Sequence, residues 1–207
     1  MAALLSDAVV VDVLRRVDRL VTPLVNRLGR PGDLPQAERD EWWAERASSV
    51  AAGVSAAPRF AGKLADLLPL QNAVGTAVQS VVVLGVAGER GITDPAHRVS
   101  VLARVLLGRQ LSTEQVTPLL SRARGTYATD ALGDPGERGA LRTLWGVARL
   151  LGRIDDTLDS RPKGKLFARA LSNLPVVGVL GGYAAEREGL RRAAARTAAL
   201  LADPVSG

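Results

Sequence analysis

The run VGTAVQSVVVLGVA, Val74 to Ala87, constrains this chain more than any other stretch. On a helix it is apolar all round, broken only by Thr76, Gln79 and Ser80. Such a helix has no solvent face and must be covered by other elements. At ~1.5 Å per residue the run spans about 21 Å, short of the ~30 Å hydrocarbon core of a bilayer. It therefore reads as the central helix of a core. Half of an apolar hairpin dipping into lipid is the alternative.

The covering elements must be helices. Aromatics make up 3% of the chain, so the core is built from Leu, Val and Ala, and Ala and Leu are strong helix formers. Nowhere does a period-two alternation persist. Residues 3–28 form an amphipathic helix in which Val10, Val13, Leu14, Val17, Leu20, Val21, Leu24 and Leu28 recur at three-to-four spacing. Asp12 stands four residues before Arg16, and Pro23 is expected to kink or divide the helix. LGRPGDLP, Leu28 to Pro35, breaks the chain. A second helix runs from about Gln36 to Val54. Its adjacent Trp42 and Trp43 point about 100° apart, which reads as core packing plus a half-buried edge, the alternative being an interfacial membrane anchor that the acidic Asp40, Glu41 and Glu45 disfavour.

Pro69 marks a helix start or bend, Gly75, Gly85 and Gly88 mark close approaches or stops, and Gly91 fits a C-cap. Asp94 and Pro95 open a helix as N-cap and first residue. Residues 112–124 start with the capping-box pattern STEQ, which offers Ser112 or Thr113 as the cap, with Pro118 limiting the helix. TYATDALGDPGERG is a loop, and Ala140 to Asp159 resumes helical periodicity before SRPKGK. The expected fold is all-α, a single domain over 1–207 of about six to eight helices with no significant sheet. Residues 1–35 supply the amphipathic helix and breaker, and 36–207 the helical core. The segments 73–87 and 174–185 are expected to pack together centrally.

Composition narrows the chemistry. There is no cysteine, which excludes disulfides, thiolate metal sites and cysteine nucleophiles. His97 is the lone histidine, so no site can need two. No Walker loop, dinucleotide fingerprint or nucleophile elbow is present. The first twenty residues lack a basic n-region and carry Asp7 and Asp12, unlike a secretory signal. Residues 1–60 balance eight bases against eight acids, whereas 98–153 and 161–207 each carry an excess of +5. A basic second half favours phosphate-rich surfaces. Scarce aromatics and the absence of a DNA-binding motif disfavour nucleic acid.

The strongest candidate for such a surface is LSNLPVVGVLGGYAAEREGLRRAAARTAALL, Leu171 to Leu201, a Gly-rich apolar segment joined to an arginine-rich helix. Leu190, Ala193, Ala194, Thr197 and Leu201 form a thin apolar stripe. Arg187, Arg191, Arg192 and Arg196 lie around the other side, interrupted by Glu186 and Glu188, with Lys163 and Lys165 upstream. Basic amphipathic helices bind anionic membranes, but alanine methyls supply little insertion energy. An arginine-decorated solvated face on a packing helix is the plainer reading.

Two stretches resemble the EcsC family of bacterial proteins, named for a protein encoded beside an ABC transporter. One is ADLLPLQNAVGTAVQSVVVLGVAGERGITDPAHRVSVLARVLLG; the other is LPVVGVLGGYAAEREGLRRAAARTAALL. The family tends to have an acidic residue at the position of His97 and an Asn where this chain has Ala184 and Ala185. The resemblance implies a helical, membrane-associated or transporter-linked bacterial protein and transfers no catalytic residue.

A rival reading rests on IDDTLD. Asp155, Asp156 and Asp159 resemble the DDxxD arrangement of prenyltransferases and terpene synthases, where clustered carboxylates hold Mg²⁺ against a diphosphate. Arg161, Lys163 and Lys165 would neutralise phosphate oxygens. There is no second DDxxD. The leading expectation is a non-enzymatic protein without a cofactor, peripheral to the inner face of the cytoplasmic membrane. Its lipid- or anion-binding residues would be Lys163, Lys165, Arg187, Arg191, Arg192 and Arg196. The alternatives are an adaptor that binds a membrane-associated protein or a second copy of itself through apolar helix faces, and a Mg²⁺-dependent diphosphate enzyme.

Overall fold

The computed structural model describes residues 6–55, 68–123, 146–147 and 182–202. Among them the protein is all-α, with no strand. The helices are α1 (Asp7–Arg27), α2 (Gln36–Ser55), α3 (Leu68–Glu89), α4 (Pro95–Leu107), α5 (Thr113–Ala123) and α6 (Gly182–Ala202).

α3 is the hub. Every residue from Gly75 to Ala87 is buried, as an apolar surface on all sides demands. α1, α2, α4 and α6 pack around it, and α5 closes against α1 and α4. Within this helix the buried Ser80 Oγ donates to the Thr76 carbonyl at 2.8 Å. The helix is longer than its apolar run suggests, 22 residues from Leu68. Pro69 sits in its first turn, where a missing N–H is tolerated. Among the described residues no helix is long and apolar enough to cross a membrane.

α1 buries Val10, Val11, Leu14, Val17, Leu20, Val21, Leu24 and Val25. Asp12 pairs with Arg16 at 2.8 Å. Pro23 does not divide the helix, which runs on to Arg27. A mid-helix proline costs about 3 kcal/mol, but Leu20, Val21, Leu24 and Val25 around it are all buried, each contributing about 1.5–3 kcal/mol. Pro118 likewise lies inside α5 rather than limiting it. Its ring is exposed, while Val116 and Leu120 on either side are buried and hold the helix down.

The helix ends follow local chemistry. At the end of α3 the Gly91 N–H donates to the Gly88 carbonyl at 3.0 Å and the Ile92 N–H to the Ala87 carbonyl at 3.0 Å. This is a Schellman motif, with Gly91 at φ +76°. Asp94 Oδ2 accepts the His97 backbone N–H at 2.8 Å and opens α4. Before α5 the Ser112 N–H donates to Gln115 Oε1 at 2.9 Å, and Ser112 Oγ accepts the Gln115 N–H at 3.3 Å. That is a reciprocal capping box.

Two bidentate ion pairs lock the arrangement. Asp18 on α1 holds Arg98 on α4, with Oδ1 to Nε at 2.7 Å and Oδ2 to Nη2 at 3.0 Å. Thr22 Oγ1 adds a bond to Asp18 Oδ1 at 3.1 Å. The hydrogen bonds that Arg98 donates to Asp18 raise its pKa against the opposing pull of burial, and the charges of Asp18 and Asp94 add to the rise. Asp40 on α2 holds Arg90 after α3 at 2.6 and 2.7 Å, beside an Arg39–Glu89 pair at 3.7 Å.

Candidate functional site

α6 is an alanine-rich helix with two distinct sides. Gly189, Leu190, Ala193, Ala194 and Thr197 are buried. Glu188, Arg192, Ala195, Arg196 and Ala199 are exposed. Spacings of three and four generate both sides. Small buried side chains leave α6 close to α2 and α3, on which it packs. Thr197 Oγ1 is satisfied by the Ala193 carbonyl at 2.8 Å, so the buried side carries no stray polar demand at that position.

The arginines divide between these sides. Arg187 pairs with Glu45, and Arg191 pairs with Glu41, both on α2. Arg191 also reaches Glu45 at 3.8 Å. Glu41 and Glu45 are spaced like Arg187 and Arg191, and the later acid meets the earlier base. The two helices therefore run antiparallel along this seam. All four side chains stay substantially exposed, between 38% and 54%. Farther out, Arg192 Nε lies 3.5 Å from Glu188 Oε1 on its own helix. Arg196 is exposed and has no ionic partner among the described residues. Among the described residues the exposed ones on this side are Glu188, Arg192, Ala195, Arg196 and Ala199, so they attract anions while offering little apolar area to insert.

Beside this seam, Trp43 is 1% exposed and Trp42 is half-buried. Their rings meet edge to face at 4.9 Å between centroids. The Arg46 guanidinium sits 5.7 Å from the Trp42 centroid, within range of a cation–π contact. One indole is thus core and the other a covered edge.

Arg187, Arg191, Arg192 and Arg196 are brought together on one helix. Lys163 and Lys165, and the carboxylates of Asp155, Asp156 and Asp159, lie outside the described residues, as does most of 174–185. No cluster of metal-ligating side chains exists among the described residues. His97 is half-buried, with its backbone N–H in the α4 cap. Sequence reasoning missed the part played by Glu41 and Glu45. Their i,i+4 spacing, matched to that of Arg187 and Arg191, is the signal that pointed to it. No family model, curated protein or solved structure matches the chain.

Proposed function

We propose that the protein is a non-enzymatic, peripheral anion-surface binder that meets anionic lipid headgroups through α6. The observation that supports this reading is the outward side of α6, where Arg192 and Arg196 are exposed beside the partly exposed Arg187 and Arg191. Each cation near an anionic bilayer contributes about 1 kcal/mol, and the attraction fades within a Debye length. With alanines between the arginines, attachment is electrostatic and superficial. The described apolar faces are used inside the molecule, Val9 being the exposed large hydrophobic among the described residues. That favours a charged contact over an apolar partner interface.

The test is co-sedimentation with phosphatidylglycerol-containing vesicles against pure phosphatidylcholine vesicles at low salt. Arg192→Glu with Arg196→Glu is the variant of choice, because neither arginine bridges to α2. Binding to anionic vesicles alone, lost in this variant and released by salt, is the expected result. Equal binding by the variant, or no binding by the unaltered chain, removes the reading.

A further inference from the structure

We propose that Glu41 and Glu45 form an acidic clasp that competes with an anionic bilayer for Arg187 and Arg191, an autoinhibitory contact within the lipid-facing site. The inference rests on the lipid reading above. Three observations carry it. The clasp is made between separate helices, Arg187 with Glu45 and Arg191 with Glu41, so it is built by the fold and not by local sequence. Its members are exposed to solvent, where ion pairs are weak and exchange with other anions. And Leu190, Ala193, Ala194 and Thr197 stay buried beneath it, so the arginine side chains can change partner while the helix stays seated.

The consequence is a tunable charge. Glu41 and Glu45 with the charged residues of α6, Glu186, Glu188, Arg187, Arg191, Arg192 and Arg196, sum to zero. Removing the charges of the two clasp acids leaves two positive. A phosphate-rich surface must displace the clasp before it gains the full cation set, and the clasp holds affinity down until the surface charge is high.

Vesicle co-sedimentation at low salt separates the outcomes. Glu41→Gln with Glu45→Gln should bind phosphatidylglycerol vesicles about thirtyfold more tightly than the unaltered chain, given two more uncompensated cations at the surface. Asp33→Asn with Glu114→Gln removes the same charge from exposed acids outside α2 and α6 and should bind nearly as the unaltered chain does. Should the clasp variant lose helicity by circular dichroism, Glu41→Gln alone gives the same reading at about fivefold. The clasp is overturned, with lipid binding intact, if the clasp variant binds no better than the unaltered chain or the control variant gains as much. If neither the unaltered chain nor the clasp variant binds, the lipid reading falls and the clasp with it.

Discussion

At Gly85 a Cβ atom would stand 2.3 Å from Trp43 Cδ2 and 2.4 Å from Cε3. The face of the indole occupies the volume a side chain would need, and Trp43 has nowhere to go at 1% exposure. Overfilling a packed core costs about 1–3 kcal/mol, so Gly85→Ala should lower the melting temperature by that equivalent. Trp43→Leu makes room, and the double variant should lose less than the two single losses added. A Gly85→Ala protein as stable as the parent would show the indole is not seated there. The Asp18–Arg98 pair makes the second residue-scale case. Asp18→Ala leaves a guanidinium without its carboxylate, at a cost of about 2–3 kcal/mol; this is below a fully buried break because 17% of the Arg98 side chain reaches solvent. Asp18→Leu with Arg98→Met should recover most of that loss. The Arg98 pKa is raised by Asp18, so between neutral pH and the ordinary arginine range the guanidinium's share of this stability is complete, and on the alkaline side it is lost as pH climbs through the raised value. The melting-temperature difference between the parent and Arg98→Met should therefore be the same at about pH 7 and about pH 9.5; a gap that closes over that window would contradict it. Gly85 was legible in sequence as a close-approach glycine, but its partner was not, because a glycine does not say which side chain needs its space.

The elements were legible wherever one turn of chain contains all the chemistry. Asp94 before Pro95, the Ser112–Gln115 box and Gly91 each complete their hydrogen bonds within five residues, so sequence alone marks them, with the α5 cap left between Ser112 and Thr113 until the structure chose Ser112. How far a helix runs past its prolines was less legible, for the opposite reason. Pro23 and Pro118 carry a fixed local penalty, but whether a helix survives them depends on what its neighbours bury. Val21 and Leu24 flank Pro23 at 0% and 4% exposure, and Val116 lies two residues before Pro118 at 0%. Those are tertiary gains that no proline rule contains. The extent of α3 was underestimated in the same way, because its first turns begin before the apolar run. Helix type follows from periodicity, whereas helix length follows from packing.

At the scale of the molecule, the sequence shows a helix that must be surrounded but not which helices surround it or in what direction. An all-round apolar α3 requires neighbours on every side, and α1, α2, α4 and α6 supply them. Charge was the legible part that misled: the arginines of α6 read as a free cationic face, and the structure commits two of them to α2. An arginine's partner lies some 140 or more residues away here, beyond any window of local pattern. The pairing gives a direct test of the antiparallel arrangement of α2 and α6. Glu41 meets Arg191, whereas Glu45 meets both Arg187 and Arg191. Glu41→Arg should therefore lower stability by about 0.5–1 kcal/mol through loss of an exposed pair and like-charge contact. In a chain of this size that is roughly 1–4 °C in melting temperature. Adding Arg191→Glu reverses the polarity of the pair and should restore part of the loss, the remainder going to the new acid's place beside Glu45. Adding Arg187→Glu in its place should not, since it puts a second acid against Glu45 and leaves the introduced guanidinium facing Arg191. Parallel helices in a different register would invert that preference, so rescue by Arg187→Glu and not by Arg191→Glu would refute the packing of α6 on which the proposed surface depends.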